Sequence, residues 1–147
     1  MVLLAFLAVK DNAPVYSYKT KTFEGIDLET LSAMYTVIHN LHFFNLKGDS
    51  VNFLDSDNYF TFFRRKSIFC KEENSEVFAV GIYERNNRML KESSNSMDVL
   101  FENFLLYYNK CIKGDYNGAV DMGAKARLDN IINYVNKSLS LKKDRKE

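Results

Sequence analysis

The chain opens on an unbroken apolar run, Val2-Leu-Leu-Ala-Phe-Leu-Ala-Val9, closed by Lys10-Asp-Asn-Ala13 and followed at once by Pro14-Val-Tyr-Ser-Tyr18. A run without polar alternation suits a strand covered on both faces, so the pattern predicts a central strand, a tight turn and a second strand. Residues 20–26 form a polar connector, and Asp27 is placed to cap a helix. Leu28, Leu31, Met34, Tyr35, Ile38, Leu41 and His42 then recur at helical spacing through about Phe44, until Gly48-Asp-Ser50 interrupts them. Val51 to Leu54 reads as a short strand, Asp55-Ser-Asp-Asn58 as a turn, and Tyr59-Phe-Thr-Phe-Phe63 as a strand with room to extend to Cys70. Lys71-Glu-Glu-Asn-Ser75 reads as a hairpin loop, and Glu76 to Tyr83 as a fifth strand.

The second half reads as helical. Arg85 to Asn95 is expected to be a polar loop, with Ser96 capping a helix whose buried stripe is Met97, Leu100, Phe101, Phe104, Leu105, Tyr108 and Ile112. Gly114 is a plausible stop, and a third helix starts near Asp121 with Leu128, Ile131, Ile132, Val135 and Leu139 on one face. Residues 1–141 are therefore expected to form a single domain, and Lys142 to Glu147 a disordered charged tail. The order β-β-α-β-β-β-α-α implies an α+β fold, an antiparallel sheet with helices on its faces.

Composition narrows the functional classes. The 147 residues are 46% hydrophobic, enough for a sizeable core, and it is rich in aromatics, with twelve Phe and nine Tyr but no Trp. A formal net charge of +1 gives no general pull toward nucleic acid or acidic lipid. The opening run has no basic residue ahead of it and leads into a turn, so it is not expected to be a signal peptide, and it is too short to span a bilayer. Cys70 and Cys111 are far apart and are expected to be free thiols in a reducing compartment, where the formal sequon at Asn136-Lys-Ser138 is silent.

Candidate chemistry is sparse. His39 and His42 lack the further ligands a metal needs, and Asp55-Ser-Asp-Asn58 has Phe60 where a calcium loop requires Gly. The glycines form no phosphate loop, and neither paired carboxylates nor a nucleophile with its base emerges, so neither catalysis nor a cofactor is expected. Arg64-Arg65-Lys66 is the one dense basic cluster, interleaved with Phe62, Phe63 and Phe69; a solvated strand end is the simpler reading of it. Tyr16, Tyr18, Phe43, Phe44, Tyr59, Phe63 and Tyr107 are more aromatics than one small core need absorb. Either the core is simply rich in aromatics, or surplus apolar surface marks a protein partner, in which case Tyr16, Tyr18, Phe43, Phe44, Phe63, Arg64, Arg65 and Lys66 are the expected interaction residues.

The strand at the start, the Asn12-Ala-Pro-Val15 hairpin, one long helix, three strands and two helices resemble the longin-like fold. Within it the chain is most similar to the sedlin-type small subunits of TRAPP, a vesicle-tethering complex, over roughly residues 2–140. Ala126 to Val135 falls where that family has its closing helix, whereas Ile112-Lys-Gly-Asp-Tyr-Asn-Gly118 lacks the proline the family usually carries between its last two helices. The resemblance implies a five-stranded antiparallel sheet with one helix on one face and two on the other, and with the first and fifth strands as central neighbours. It also implies a non-enzymatic subunit in ER–Golgi trafficking, cytoplasmic and held at Golgi or ER membranes through its partners. Those partners would be other small subunits, a SNARE or a Rab GTPase, with no nucleic acid. Alternatives are the longin domain of a SNARE, an adaptor small chain, a Rab exchange-factor subunit, or a small-ligand or lipid carrier with a pocket between sheet and helices.

Overall fold

The computed structural model describes residues 1–10, 13–20, 23, 53–70, 73–112 and 122–146. Five strands, β1 (Leu3–Lys10), β2 (Ala13–Lys19), β3 (Phe53–Asp55), β4 (Tyr59–Cys70) and β5 (Glu73–Glu84), form one antiparallel sheet in the order β2-β1-β5-β4-β3. A 3-10 turn (Asn87–Met89) leads into helix α1 (Leu90–Ile112), and helix α2 (Met122–Lys146) follows. The α+β class and the five-stranded antiparallel sheet stand as expected. The helix expected over 27–44 lies outside the described residues, with its cap Asp27.

The apolar runs of β1 and β5 have the physical origin expected of them, since both faces of these strands are buried. Phe6 and Ala8 on β1, with Val77, Ala79 and Tyr83 on β5, join the core beneath α1 and α2. Ala5, Leu7 and Val9, with Phe78, Val80 and Ile82, form a second core on the opposite face together with Phe23 and Phe63. Leu3 breaks this alternation and belongs to the helix-side core. The register of β1 against β5 shifts between Leu3 and Ala5, and such an extra residue turns the following side chains to the other face.

The irregularity is sealed by α2. The Asn136 Oδ1 accepts from the Leu3 N–H at 3.0 Å, and its Nδ2 donates to the Leu3 carbonyl at 2.8 Å. A side-chain amide thus stands in for the peptide unit of a neighbouring strand, and it does so while 4% exposed. Because both amide atoms are engaged and buried, the folded domain does not present the sequon at Asn136-Lys-Ser138 to solvent.

Helix α1 lies close on the sheet at Gly81, where a Cβ would stand 2.5 Å from the Met97 sulfur and 3.0 Å from the Tyr83 ring. Beside this contact the buried Tyr83 hydroxyl donates to Ser96 Oγ at 2.7 Å, and Ser96 donates to the Ser93 carbonyl at 2.8 Å. Burial pushes the Tyr83 phenol up, although the Ser96 hydrogen bond pulls the other way.

Three boundaries differ from expectation. The expected loop at 85–95 is mostly helix, begun at Asn86, whose side chain accepts from the Arg88 N–H at 3.1 Å. Ser96 is therefore no cap. Apolar periodicity missed this first stretch because its sheet-facing positions are the small buried residues Ser93 and Ser96. Lys142 to Lys146 of the expected disordered tail form the end of helix α2, where Lys143 reaches Glu84 at 2.9 Å and Lys146 reaches Glu92 at 2.5 Å. These cations also suit the negative end of the helix dipole. Glu73 to Ser75, expected to be loop, already belong to β5.

Two substitutions test this packing. Asn136→Ala strands two buried backbone groups of Leu3 and is expected to cost about 2–4 kcal/mol in urea unfolding. Gly81→Ala is expected to cost ~1–3 kcal/mol by overpacking. If Met97 is the obstacle, Gly81→Ala combined with Met97→Ala will be less destabilised than the sum of the two single changes.

Candidate functional site

The start of α1 and the end of α2 meet above the β3–β4 end of the sheet, leaving an open groove of about 580 Å³. Its apolar walls are Phe53, Phe62 and Leu90. Phe53 pairs with Phe62 across the β3–β4 ladder, their ring centroids 5.2 Å apart, and Leu90 is exposed in the first turn of α1. Around them stand Arg64, Arg88, Lys91 and Lys146, against the single lining carboxylate of Glu92.

Strand alternation brings Arg64 here. It shares the helix-side face with Phe60 and Phe62, and its guanidinium lies 5.7 Å from the Phe62 ring centroid. Its Nε donates to Asp98 at 2.6 Å, and its Nη2 donates to the Ser94 hydroxyl at 3.3 Å, so it braces β4 against α1. At the other rim the Lys146 ammonium donates to the Arg88 carbonyl at 3.0 Å, and the Arg88 guanidinium to the Lys146 carbonyl at 3.2 Å. Lys146 also holds the Glu92 carboxyl below the usual carboxylate range, chiefly through its hydrogen bond. Arg88 and Lys91 have no carboxylate partner among the described residues, so the groove keeps a positive rim. A second hollow of about 220 Å³ runs between the helices, with Val99 on one wall and Tyr134 on the other.

The expected interaction residues do not form one surface. Tyr16 is buried, its ring between Phe6 and Phe104 at centroid distances of 6.1 and 6.4 Å. The register pairing Ala8 with Tyr16 turns that ring toward the helices, where its hydroxyl donates to Asp129 at 2.5 Å. Burial, and then the Asp129 contact, push its phenol up. Tyr18 is half-buried against the same core, and Phe63 is buried in the opposite one. Tyr59 and Tyr107 are partly buried as well. The surplus of aromatics is therefore absorbed by two cores rather than one. Phe43 and Phe44, like His39 and His42, lie outside the described residues.

The basic cluster is divided by strand geometry. Arg64 faces the groove, Arg65 turns to the opposite face and meets Glu76 at 3.2 Å, and Lys66 is exposed. Sequence reasoning missed Arg88, Leu90, Lys91, Glu92 and Lys146, having read them as loop and tail. The residues of the Arg88–Lys146 contact are 58 positions apart, beyond any local pattern.

The turn expected at Asp55-Ser-Asp-Asn58 is formed by Ser56 to Asn58, with Asp55 the last residue of β3. Ser56 donates to the Tyr59 carbonyl from both its N–H and its hydroxyl, and Asp55 accepts from Arg85 at 2.7 Å. Among the described residues no group of His, Cys, Asp and Glu is arranged to hold a metal ion, and no helix is long and apolar enough to cross a membrane. Comparison with protein families and with curated proteins finds no match to this chain.

The Glu92–Lys146 pair predicts an acid-sensitive component of stability. The folded carboxyl holds its proton less tightly than the unfolded one, so the contribution is complete above the ordinary glutamate value of about 4.3 and is lost as pH falls through the lower folded value. Denaturant midpoints measured across this acid range should fall less steeply for Glu92→Gln than for the native chain.

Proposed function

We propose that this chain is a non-enzymatic protein-interaction subunit whose groove receives a short segment of a partner protein. The observation that carries this reading is the groove's composition: Phe53, Phe62 and Leu90 under a rim that includes Arg88 and Lys91. Aromatic and aliphatic walls offer an anchor site for one apolar side chain, and a cationic rim orients a segment with carboxylates beside that anchor. The layer between sheet and helices is filled by Phe6, Tyr83, Met97 and Phe104, each at most 1% exposed. That packing weighs against a carrier with a ligand enclosed there.

The biological setting comes from the resemblance of the opening strand and Asn12-Ala-Pro-Val15 hairpin to sedlin-type subunits. The proposed setting is a TRAPP-type tethering complex in ER–Golgi trafficking, in the cytoplasm and peripheral to Golgi or ER membranes through other subunits, a SNARE or a Rab GTPase. The pairing of Lys10 with Ala13 and the adjacency of β1 and β5 agree with the antiparallel sheet that this resemblance implies.

Affinity purification of the tagged full chain from its source tests both levels. The expected outcome is co-purification of several small proteins; recovery of the chain alone overturns the assembly reading. Leu90→Asp and the double change Arg88→Glu/Lys91→Glu are expected to weaken binding of the groove's partner about tenfold or more, an effect of ~1.4 kcal/mol. Partner recovery that is unchanged in both variants would remove the groove from the proposal while leaving assembly intact.

A further inference from the structure

The formal net charge of +1 conceals an uneven distribution. On α2, Lys143 and Lys146 are engaged within the fold by Glu84 and Glu92. Lys125, Arg127, Lys137, Lys142 and Arg145 are exposed, and among the described residues none of them has a carboxylate partner. The acids of this helix are Asp129, which is bonded to Tyr16, and Asp144. On the neighbouring α1, Glu92 and Asp98 are paired with Lys146 and Arg64, which leaves Glu102. The exposed surface of the helix layer therefore carries an excess of positive charge, concentrated on α2.

Arg127, Tyr134, Leu141 and Arg145 follow one another at spacings of seven, seven and four residues, so all four lie on one line along the helix. That line runs for about 27 Å and points away from the sheet, since Leu128, Ile132, Val135 and Leu139 occupy the opposite side of the helix. Tyr134 and Leu141, 75% and 54% exposed, stand between the two arginines. Lys137 and Lys142 flank the line on opposite sides. The Arg127 guanidinium lies over the Tyr107 ring of α1, a contact that leaves its charge in place. One face thus combines a projecting aromatic and a projecting aliphatic side chain with cations on long stems.

We infer that this face of α2 docks directly on an anionic lipid bilayer. The negative headgroups of such a bilayer lie in one plane, where Arg127, Lys137, Lys142 and Arg145 meet them together. Tyr134 suits the boundary, because its ring enters the edge of the acyl region while its hydroxyl stays at headgroup level, and Leu141 adds an aliphatic contact. The lysine and arginine stems reach past these two side chains and keep their charges in water. A lipid surface yields to a projecting row of side chains, whereas an acidic protein would need a trough with carboxylates set around two apolar pockets. The helix lies on the membrane; among the described residues none is long and apolar enough to cross it. The inference is independent of the groove, which rests on Leu90, Arg88 and Lys91, and of any membrane contact made through other subunits.

Co-sedimentation of the full chain with vesicles tests it, using phosphatidylcholine alone and phosphatidylcholine mixed with phosphatidylserine. The expected result is binding to the mixed vesicles only, weakening as salt is raised. Lys137→Glu is expected to weaken it about tenfold. Lys19→Glu makes the same change of net charge on the opposite face of the sheet, where Lys19 pairs with Ala5, and is expected to leave binding as it was. Tyr134→Ser removes the ring but no charge, so it is expected to weaken binding while the salt dependence persists. All three side chains replaced are outside the helix-side core, and unchanged thermal midpoints would show that the fold is intact. No binding to the mixed vesicles, equal binding to phosphatidylcholine alone, or equal losses in Lys19→Glu and Lys137→Glu would overturn the inference. Retention on polyglutamate without vesicle binding would also overturn it, and would assign the face to an acidic protein.

Discussion

The helix layer depends on how α2 is fastened to the beginning of β1. The Asn136 carboxamide completes the hydrogen bonding of Leu3, where the strand register is irregular. An amide meets both a backbone donor and a backbone acceptor, so this one side chain fixes the position of the helix along the strand. An apolar residue in its place would leave two polar groups buried without partners, which costs more than the hydrogen bonds contribute net. Leu128, Ile132, Val135 and Leu139 fill the contact around it without directional demands.

With that point set, the remaining polar contacts determine where the helix ends fall. Lys143 to Glu84 and Lys146 to Glu92 draw the end of α2 over the end of β5 and the start of α1. Such partly exposed pairs contribute little stability individually, so their consequence is chiefly positional. They place Arg88, Lys91 and Lys146 around Phe53, Phe62 and Leu90, and the groove follows from that convergence. Close packing at Gly81 has a similar role on the sheet side, because only a residue without Cβ lets Met97 descend onto β5.

The core strands were readable because their burial is written as composition. Both faces of β1 and β5 are covered, and the unbroken apolar runs show it. The stripes Met97, Leu100, Phe101, Phe104 and Leu128, Ile132, Val135, Leu139 were equally plain. The candidate site was not. Its walls come from an edge strand, a polar helix start and a charged helix end, each unremarkable alone. Arg64-Arg65-Lys66 looked like one patch only because sequence adjacency ignores the alternation of a strand. Tyr16 and Phe63 looked like surplus because the second core could not be counted from the pattern.

The sequence by itself determined the five strands and two of the helices, through hydrophobic periodicity, which is local and survives any arrangement of the elements. Only the tertiary structure decided that Ser93 and Ser96 face the sheet, that the closing lysines have carboxylate partners, and that Asn136 is a buried strap rather than an exposed acceptor. The reason is common to all three. A polar side chain looks the same in sequence whether water or another part of the fold satisfies it, and the choice is made by contacts between residues far apart in the chain.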